Sequence, residues 1–427
     1  ISHQGAVNTV YAVNQQYHVN SSDVFFALSE LSFDLSVYDL FGALSCGATI
    51  VFPDSEQVKE PEHWQALILK HNVTIWNTVP QLAHLLVENP NTHASSQAQI
   101  ETLNSLRLFL LSGDWIPLKL PERIQLVCPT ATIISLGGAT EGSIWSIWHE
   151  IKQVSPSWTS IPYGLAMPNQ QMMVLNEQLH ACPVDVVGEI VIGGTGVALN
   201  YWGDVEKTAK SFINHPTFGR LYKTGDLGKW SKSGYIEFIG RKDTQVKING
   251  YRIEVDEISA HLSKLPGIED AVVVCIVQDN VKKLVGYYSG EQSDESLLLK
   301  QLSQQLPMYM LPARLMYLST LPLTSNGKVD KSLLPKPDFS MNQKYIGPRN
   351  ITENKLCEIY AQVLNIPLKS VSITDDFFQL GGDSIGSIRL VSAIKKQLNL
   401  PVTAKDIFHC KTVECLAEIL IDRQQLN

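Results

Sequence analysis

The sequence is poor in charge, and the excess that exists has the wrong sign for a polyanion partner. Only 18% of its 427 residues are Asp, Glu, Lys or Arg, and the formal net charge is −8. Proteins that grip nucleic acid through bulk charge carry a basic face, so that class is excluded. Cysteines are few: Cys46, Cys128, Cys182, Cys275, Cys357, Cys410 and Cys415, an odd set with no C-x-x-C pair. This excludes a disulfide framework and a cysteine zinc site, and points to reduced thiols in a cytoplasmic protein. The apolar run Ala271–Val277 is too short to span a membrane, and no signal peptide is visible. Gly193-Gly194-Thr195-Gly196 is not followed by the helix that a dinucleotide fingerprint requires, which excludes that reading. There is no internal repeat. The first residue is Ile1 and its neighbours read like the middle of a domain, so a piece of a longer chain is expected.

What is present is an ordinary globular composition, 44% hydrophobic, in a chain long enough for two or three domains. Up to about Glu150, strands alternate with helices. Ala48–Phe52, Val73–Val79, Leu106–Leu111 and Ala131–Leu136 read as strands. A helix opening at Pro61 buries Trp64, Leu67 and Ile68; a second carries Leu82, Leu85 and Leu86; a third spans Pro117–Val127. This alternation predicts a mostly parallel sheet, with ligands gathered beyond the carboxyl ends of its strands. Those ends carry Asn77-Thr78-Val79-Pro80, Leu111-Ser112-Gly113-Asp114 and Leu136-Gly137-Gly138-Ala139-Thr140-Glu141. Each alone reads as a plain loop; three in register point to a site.

Ahead of this sheet lies Ser32-Phe33-Asp34-Leu35-Ser36-Val37-Tyr38-Asp39-Leu40-Phe41, an acid in an apolar helical pattern. Asp34 is either a first-turn carboxylate complementing the helix dipole or a partly buried anion in need of a cation, such as an α-ammonium. From Leu165 to Gly240 short strands and turns take over. Asp226 in Tyr222-Lys223-Thr224-Gly225-Asp226-Leu227 is a turn residue or a ligand for ribose hydroxyls, since a carboxylate accepts two hydrogen bonds in parallel. Gly228–Trp230 and Tyr235–Ile239 read as a hairpin. After the break at Gly240-Arg241-Lys242-Asp243, a hairpin (Thr244–Ile248, Tyr251–Glu254), a helix (Val255–Leu265), two strands (Ala271–Val277, Lys283–Tyr288) and a helix (Glu295–Leu306) form a small α+β unit. It closes on Asn326-Gly327-Lys328-Val329-Asp330, where Lys328 alone reads as a solvated lysine on a turn. A proline-bearing linker follows.

The remainder centres on Asp375-Asp376-Phe377-Phe378-Gln379-Leu380-Gly381-Gly382-Asp383-Ser384-Ile385. Two glycines release the backbone, and Ile385, Ile388, Val391, Ile394 and Leu398 then recur with helical period. Ser384 sits at the start of that helix, either as part of an N-cap or as the bearer of a phosphate ester that the exposed N–H groups would stabilise.

Taken in order, Phe33–Asp39, Gly138–Glu141, Tyr222–Leu227, Gly240–Glu254, Asn326–Asp330 and Asp376–Ile385 resemble the motif series of a nonribosomal peptide synthetase adenylation domain followed by its carrier domain. The resemblance covers nearly the whole chain. It implies an α/β fold: a large adenylate-forming subdomain of the acyl-CoA-synthetase kind (1–240), a small α+β subdomain (241–334), a linker (335–348) and a four-helix carrier bundle (349–427). It implies that Asp34 holds the substrate ammonium and that Lys328 bridges the substrate carboxylate and the ATP α-phosphate, a cation placed where two anions must meet. Glu141 would help hold Mg²⁺. Gly138, Ala139, Thr140, Asp226 and Arg241 would meet the nucleotide. Asp243 would be the hinge on which the small subdomain turns after adenylation, withdrawing Lys328 and presenting the Gly250 loop to a 4'-phosphopantetheine arm on Ser384. A phosphopantetheinyl transferase and neighbouring condensation or cyclisation domains are the implied protein partners.

The selecting positions of this family fall on Asp34, Leu35, Tyr38, Asn77, Leu110, Ser112, Leu136, Ile144, Trp145 and Lys328. That string is similar to the one in cysteine-activating domains of thiazoline-forming siderophore synthetases. Tyr38, Trp145 and Leu136 would shorten the pocket, Leu110 and Ile144 suit a thiol, and Asn77 or Ser112 could meet its S–H. Serine is the natural competitor. The chain departs from the family twice. The Gly/Ser/Thr-rich phosphate loop ending in Pro-Lys-Gly belongs just before Ile1; a chain complete without it would adenylate little and serve as a carrier and docking fragment. Many members also have an aromatic where Gly137 stands, which puts adenine stacking by that residue in doubt. A free-standing CoA ligase of the same superfamily needs neither Asp34 nor Ser384.

Overall fold

The computed structural model describes residues 1–427 except 89–102, 157, 159, 249, 279–280, 325–328, 338–344, 379, 383, 399 and 426–427. The chain divides into two compact units, Ile1–Asp243 and Thr244–Asn427.

The first unit is built on seven strands: β1 (Val24–Phe26), β2 (Thr49–Val51), β3 (Ile75–Thr78), β4 (Leu108–Leu111), β5 (Thr132–Gly137), β6 (Ile147–Glu150) and β7 (Leu165–Ala166), in the order β2-β1-β3-β4-β5-β6-β7. The first five are parallel; β6 and β7 each run antiparallel to their neighbour. β3 and β4 are buried at every residue, which is why they read as continuous apolar runs rather than alternating ones. The helices that cross between parallel strands start where proline costs no hydrogen bond: Pro61 opens Pro61–His71 and Pro80 opens Pro80–Val87. At the amino ends of the strands Asp23 is buried and accepts from Arg107 Nε at 2.8 Å, Arg107 Nη2 at 2.7 Å and the Thr74 hydroxyl at 2.7 Å. A buried carboxylate satisfied this fully is kept below its ordinary pKa against the upward push of burial.

A second sheet follows: β8 (Gln170–Leu175), β9 (Gly188–Gly194), β10 (Phe212–His215) and β11 (Gly219–Trp230) in the order β10-β11-β9-β8, with β12 (Ile236–Arg241) paired to β11. The strand stretches expected from sequence all occur, most of them trimmed by a residue or two at the ends. Two differences bear on function. The stretch 221–230 is one continuous strand rather than a loop and a hairpin arm. The helical stretch after Asp34 is not uniform: Leu35–Val37 leads into a π turn at Tyr38–Gly42 and then Ala43–Cys46.

In the second unit β13 (Val246–Ile248) and β14 (Tyr251–Ile253) form the expected hairpin. β15 (Ile268–Gln278) and β16 (Val281–Gly290) pair antiparallel, and β17 (Arg314–Tyr317), not foreseen, adds parallel to β16. Ile253, Ile258, Leu262, Leu298, Leu302 and Leu315 form the core under these strands and the helices Val255–Leu262 and Glu295–Ser303. The helices Ile351–Leu364, Ser384–Leu398, Ala404–Cys410 and Val413–Gln425 surround a separate core of Leu356, Tyr360, Phe377, Leu390, Ile407 and Leu416. Asn350 caps the first of them, and Thr403 with Asp406 forms a capping box on the third.

Candidate active site

Strand register decides which side chains share a wall. Asn77 pairs with Leu110, and Leu110 with Ile134; partnered residues of parallel strands face the same way. Two residues on, Ser112 and Leu136 continue that face. Leu35, Tyr38, Leu110, Leu136, Ile144 and Trp145 all lie in one buried cluster. The Tyr38 and Trp145 rings meet at 5.2 Å. Trp145 Nε1 donates to Ser112 Oγ at 3.0 Å, and the Tyr38 hydroxyl donates to Asn14 Oδ1 at 2.8 Å. Asn77 Nδ2 donates to Asp39 Oδ1 at 2.8 Å and to the Leu35 carbonyl at 3.3 Å. Asp34 is half-buried and accepts from the Thr140 hydroxyl at 2.7 Å. Nine of the positions expected to select the substrate are thus brought to one neighbourhood.

Ile144 and Trp145 are delivered by a strained turn. Ser143 and Ile144 take φ of 66° and 71°, a region that a β-branched residue enters at a cost of about 1–3 kcal/mol. Hydrogen bonds on both sides hold it there. The Thr9 hydroxyl donates to the Ser143 carbonyl at 2.8 Å, Gln170 Nε2 to the Trp145 carbonyl at 2.8 Å, and Ser146 N–H to the Gly137 carbonyl at 2.8 Å.

The nucleotide candidates lie on the loop after β5 and on the paired strands β11 and β12. Gly138-Ala139-Thr140-Glu141 follow β5. Gly138 has φ of 145°, and a Cβ there would come within 2.8 Å of the Ser146 nitrogen. Gly137 has no room for a side chain either: a Cβ would run into the Tyr163 ring, whose hydroxyl accepts from the Gly138 N–H at 2.9 Å. An aromatic ring therefore does stand at this place, supplied by residue 163. Glu141 Oε1 accepts from the Tyr201 hydroxyl at 2.6 Å; burial first, then the Tyr201–Glu141 hydrogen bond, hold that phenol above its ordinary pKa, so it stays a donor. Asp226 is buried within β11, opposite Arg241 of β12, and is not in a turn. Arg241 Nη1 meets Asp226 Oδ1 at 2.6 Å, while its Nε and Nη2 reach the two oxygens of Asp243 at 2.7 and 2.5 Å. One guanidinium thus joins the two acids.

Lys328 falls outside the described residues. Ser384 is the first residue of the 15-residue helix Ser384–Leu398. The turn before it needs both glycines: Gly381 has φ of 104°, and a Cβ on Gly382 would strike the Phe377 ring.

A family model described as AMP-binding enzyme matches residues 1–202, and one described as phosphopantetheine attachment site matches residues 354–420. Bacitracin synthase 1 of Bacillus licheniformis is 40% identical over 100% of this chain, which covers 8% of that protein. Phenyloxazoline synthase MbtB of Mycobacterium tuberculosis (strain CDC 1551 / Oshkosh) is 34% identical over 99% of this chain, which covers 30% of it. The structure of holo-PA1221, an NRPS protein containing adenylation and PCP domains bound to a vinylsulfonamide inhibitor, superposes with a TM-score of 0.76 at 25% identity, over 94% of this chain and 66% of that one. The chain carries an AMP-binding domain and a phosphopantetheine attachment site, and its homologues are nonribosomal peptide and siderophore synthetases. It carries an adenylate-forming ligase domain followed by a carrier domain, and spans under a third of these two relatives' lengths.

Two places bear on the phosphopantetheine and metal expected from sequence. A helix start preceded by two backbone-releasing glycines suits a phosphate ester at Ser384. Glu141 offers carboxylate oxygen to a hard cation such as Mg²⁺. Four residues at the site escaped sequence reasoning: Asp39, Tyr163, Tyr201 and Asn14. Of these, Asp39 left a trace. It lies in the same apolar helical run as Asp34, and the deeper burial belongs to Asp39, 1% exposed.

Proposed function

We propose that this chain adenylates L-cysteine with ATP, using Mg²⁺, and loads it on a phosphopantetheine arm at Ser384, for assembly of a siderophore-type peptide. Asp34 is the anchor for the α-ammonium, its carboxylate oriented by Thr140. Lys328 is assigned to the developing charge as the cysteine carboxylate oxygen attacks the α-phosphorus and pyrophosphate leaves. Asp226 meets the ribose hydroxyls, Arg241 holds Asp226 and Asp243 together beside the nucleotide, Gly138, Ala139 and Thr140 line it, and Glu141 would help hold the metal. Mg²⁺ would neutralise phosphate charge. The arm supplies a thiol that receives the amino acid. Asp243 is the proposed hinge.

One observation carries the reading. Asn77, Leu110, Ser112 and Leu136 share a wall that Tyr38, Ile144 and Trp145 close down, with Asp34 bonded to the loop after β5. A substrate pocket between these residues would be short, with Asp34 as its ammonium anchor. Serine is the second reading, favoured by the likeness to a phenyloxazoline synthase, because an oxazoline closes through a hydroxyl oxygen. Amino-acid-dependent pyrophosphate exchange decides between them. It should be run on the chain together with whatever residues precede Ile1 in its natural polypeptide. Cysteine should exceed every other amino acid; serine ahead of cysteine replaces the first reading with the second.

A further inference from the structure

A buried amide on the shared face of β3, β4 and β5 has one end tied down and, among the described residues, the other without a partner. Asn77 is 1% exposed. Its Nδ2 gives its hydrogens to Asp39 Oδ1 at 2.8 Å and to the Leu35 carbonyl at 3.3 Å. A backbone carbonyl can only accept, so the amide cannot turn over without setting oxygen against oxygen. Its Oδ1 is therefore held on the side away from Asp39. Among the described residues that oxygen has no hydrogen-bond partner.

A buried acceptor left unmet costs about 1–3 kcal/mol, and few native groups are left so without a reason. Ser112, on the same wall, accepts from Trp145 Nε1, and its hydroxyl makes no bond to the Asn77 oxygen. The rest of the wall (Leu110, Leu136, Ile144) offers no donor. A donor on the ligand would meet this oxygen.

We infer that Asn77 Oδ1 accepts the β-S–H or β-O–H of the substrate, and that Asp39, which touches no substrate, is the positioning residue that fixes the amide in this orientation. This rests on the proposed cysteine or serine activation and deepens it. The site selects for a side-chain donor at the β-carbon, and shape alone does not make the choice. Burial pushes the Asp39 carboxyl up to about 8 against the hydrogen bonds from Asn77 and the Ser29 backbone. A neutral acid at this place still accepts from Nδ2, so the arrangement survives protonation.

The test compares pyrophosphate exchange with L-cysteine and with L-2-aminobutyrate, which has a methyl group in place of the thiol. The unaltered protein should prefer cysteine by kcat/KM. Asn77→Leu should narrow that preference by about tenfold or more, the worth of one buried hydrogen bond. Asp39→Leu should narrow it in the same direction, and Asp39→Asn, which retains an acceptor for Nδ2, should restore it. Thermal melts accompany each variant; Asp39→Val replaces Asp39→Leu if the latter loses a cooperative transition. A cysteine preference unmoved in both Asn77→Leu and Asp39→Leu overturns the inference while leaving cysteine activation standing. If neither cysteine nor serine supports exchange in the unaltered protein, the proposed function falls and this inference with it.

Discussion

Asp39 is the residue whose environment departs furthest from what its neighbours in sequence suggest. An acid five positions after Asp34 looks like its equal, yet Asp34 is half-buried and Asp39 is sealed in. Burial raises its pKa from an unfolded value of 3.8 to about 8. Between these values the folded protein holds a proton that the unfolded chain has released. Linkage then requires stability to fall as pH rises across that window. Asp39→Asn is neutral throughout and lacks this slope. Its melting temperature relative to the unaltered protein should therefore climb from about pH 4 to about pH 8 and level off above. Parallel curves would mean that the carboxyl ionises at its ordinary pKa.

At the scale of elements, the turn after β5 explains the family departure at Gly137. The aromatic that many members place there is absent, and the Tyr163 ring lies in the space instead, bonded to the Gly138 N–H. Tyr163 in turn packs on Phe238, and Phe238 on Trp115, at 5.8 and 5.0 Å. Gly137→Ala forces a Cβ against a ring that has little freedom to move, and should cost about 1–3 kcal/mol. Removing the ring as well, in Gly137→Ala with Tyr163→Ala, should give much less than the sum of the two single losses. The urea-unfolding cycle measures this coupling; additive losses would show that the ring is not what excludes the methyl.

For the whole molecule, the boundary between the two compact units falls at Asp243–Thr244, and Arg241 fastens Asp243 to Asp226 in β11. The proposed cycle needs Lys328 for adenylation and Ser384 for transfer, so the two should separate by assay. Lys328→Ala should abolish amino-acid-dependent pyrophosphate exchange. Ser384→Ala should leave exchange intact but gain no mass on incubation with CoA and a phosphopantetheinyl transferase, where the unaltered chain gains one arm. Near-normal exchange in Lys328→Ala, or an arm that survives Ser384→Ala, would remove that residue from its role.

The order of strands and helices and the glycine-flanked serine were legible in the sequence because they depend on local rules, whereas the wall positions came from the family resemblance. Apolar periodicity sets the element, proline and glycine set its ends, and period two along β3, β4 and β5 sets which residues face together. Asp226 in mid-strand, the π turn through Tyr38–Gly42 and the parallel addition of Arg314–Tyr317 to β16 were not legible. Each depends on a partner distant in sequence: Arg241 for the acid, the packed cluster around Tyr38 for the turn, and strand β16 for the added strand. The same holds for Tyr163 against Gly137 and for Asp39 under Asn77. Burial and hydrogen-bond partners arise from contacts across tens of residues, so the sequence named the chemistry of the wall, and the packed structure alone decided which acid is sealed in and which way the amide turns.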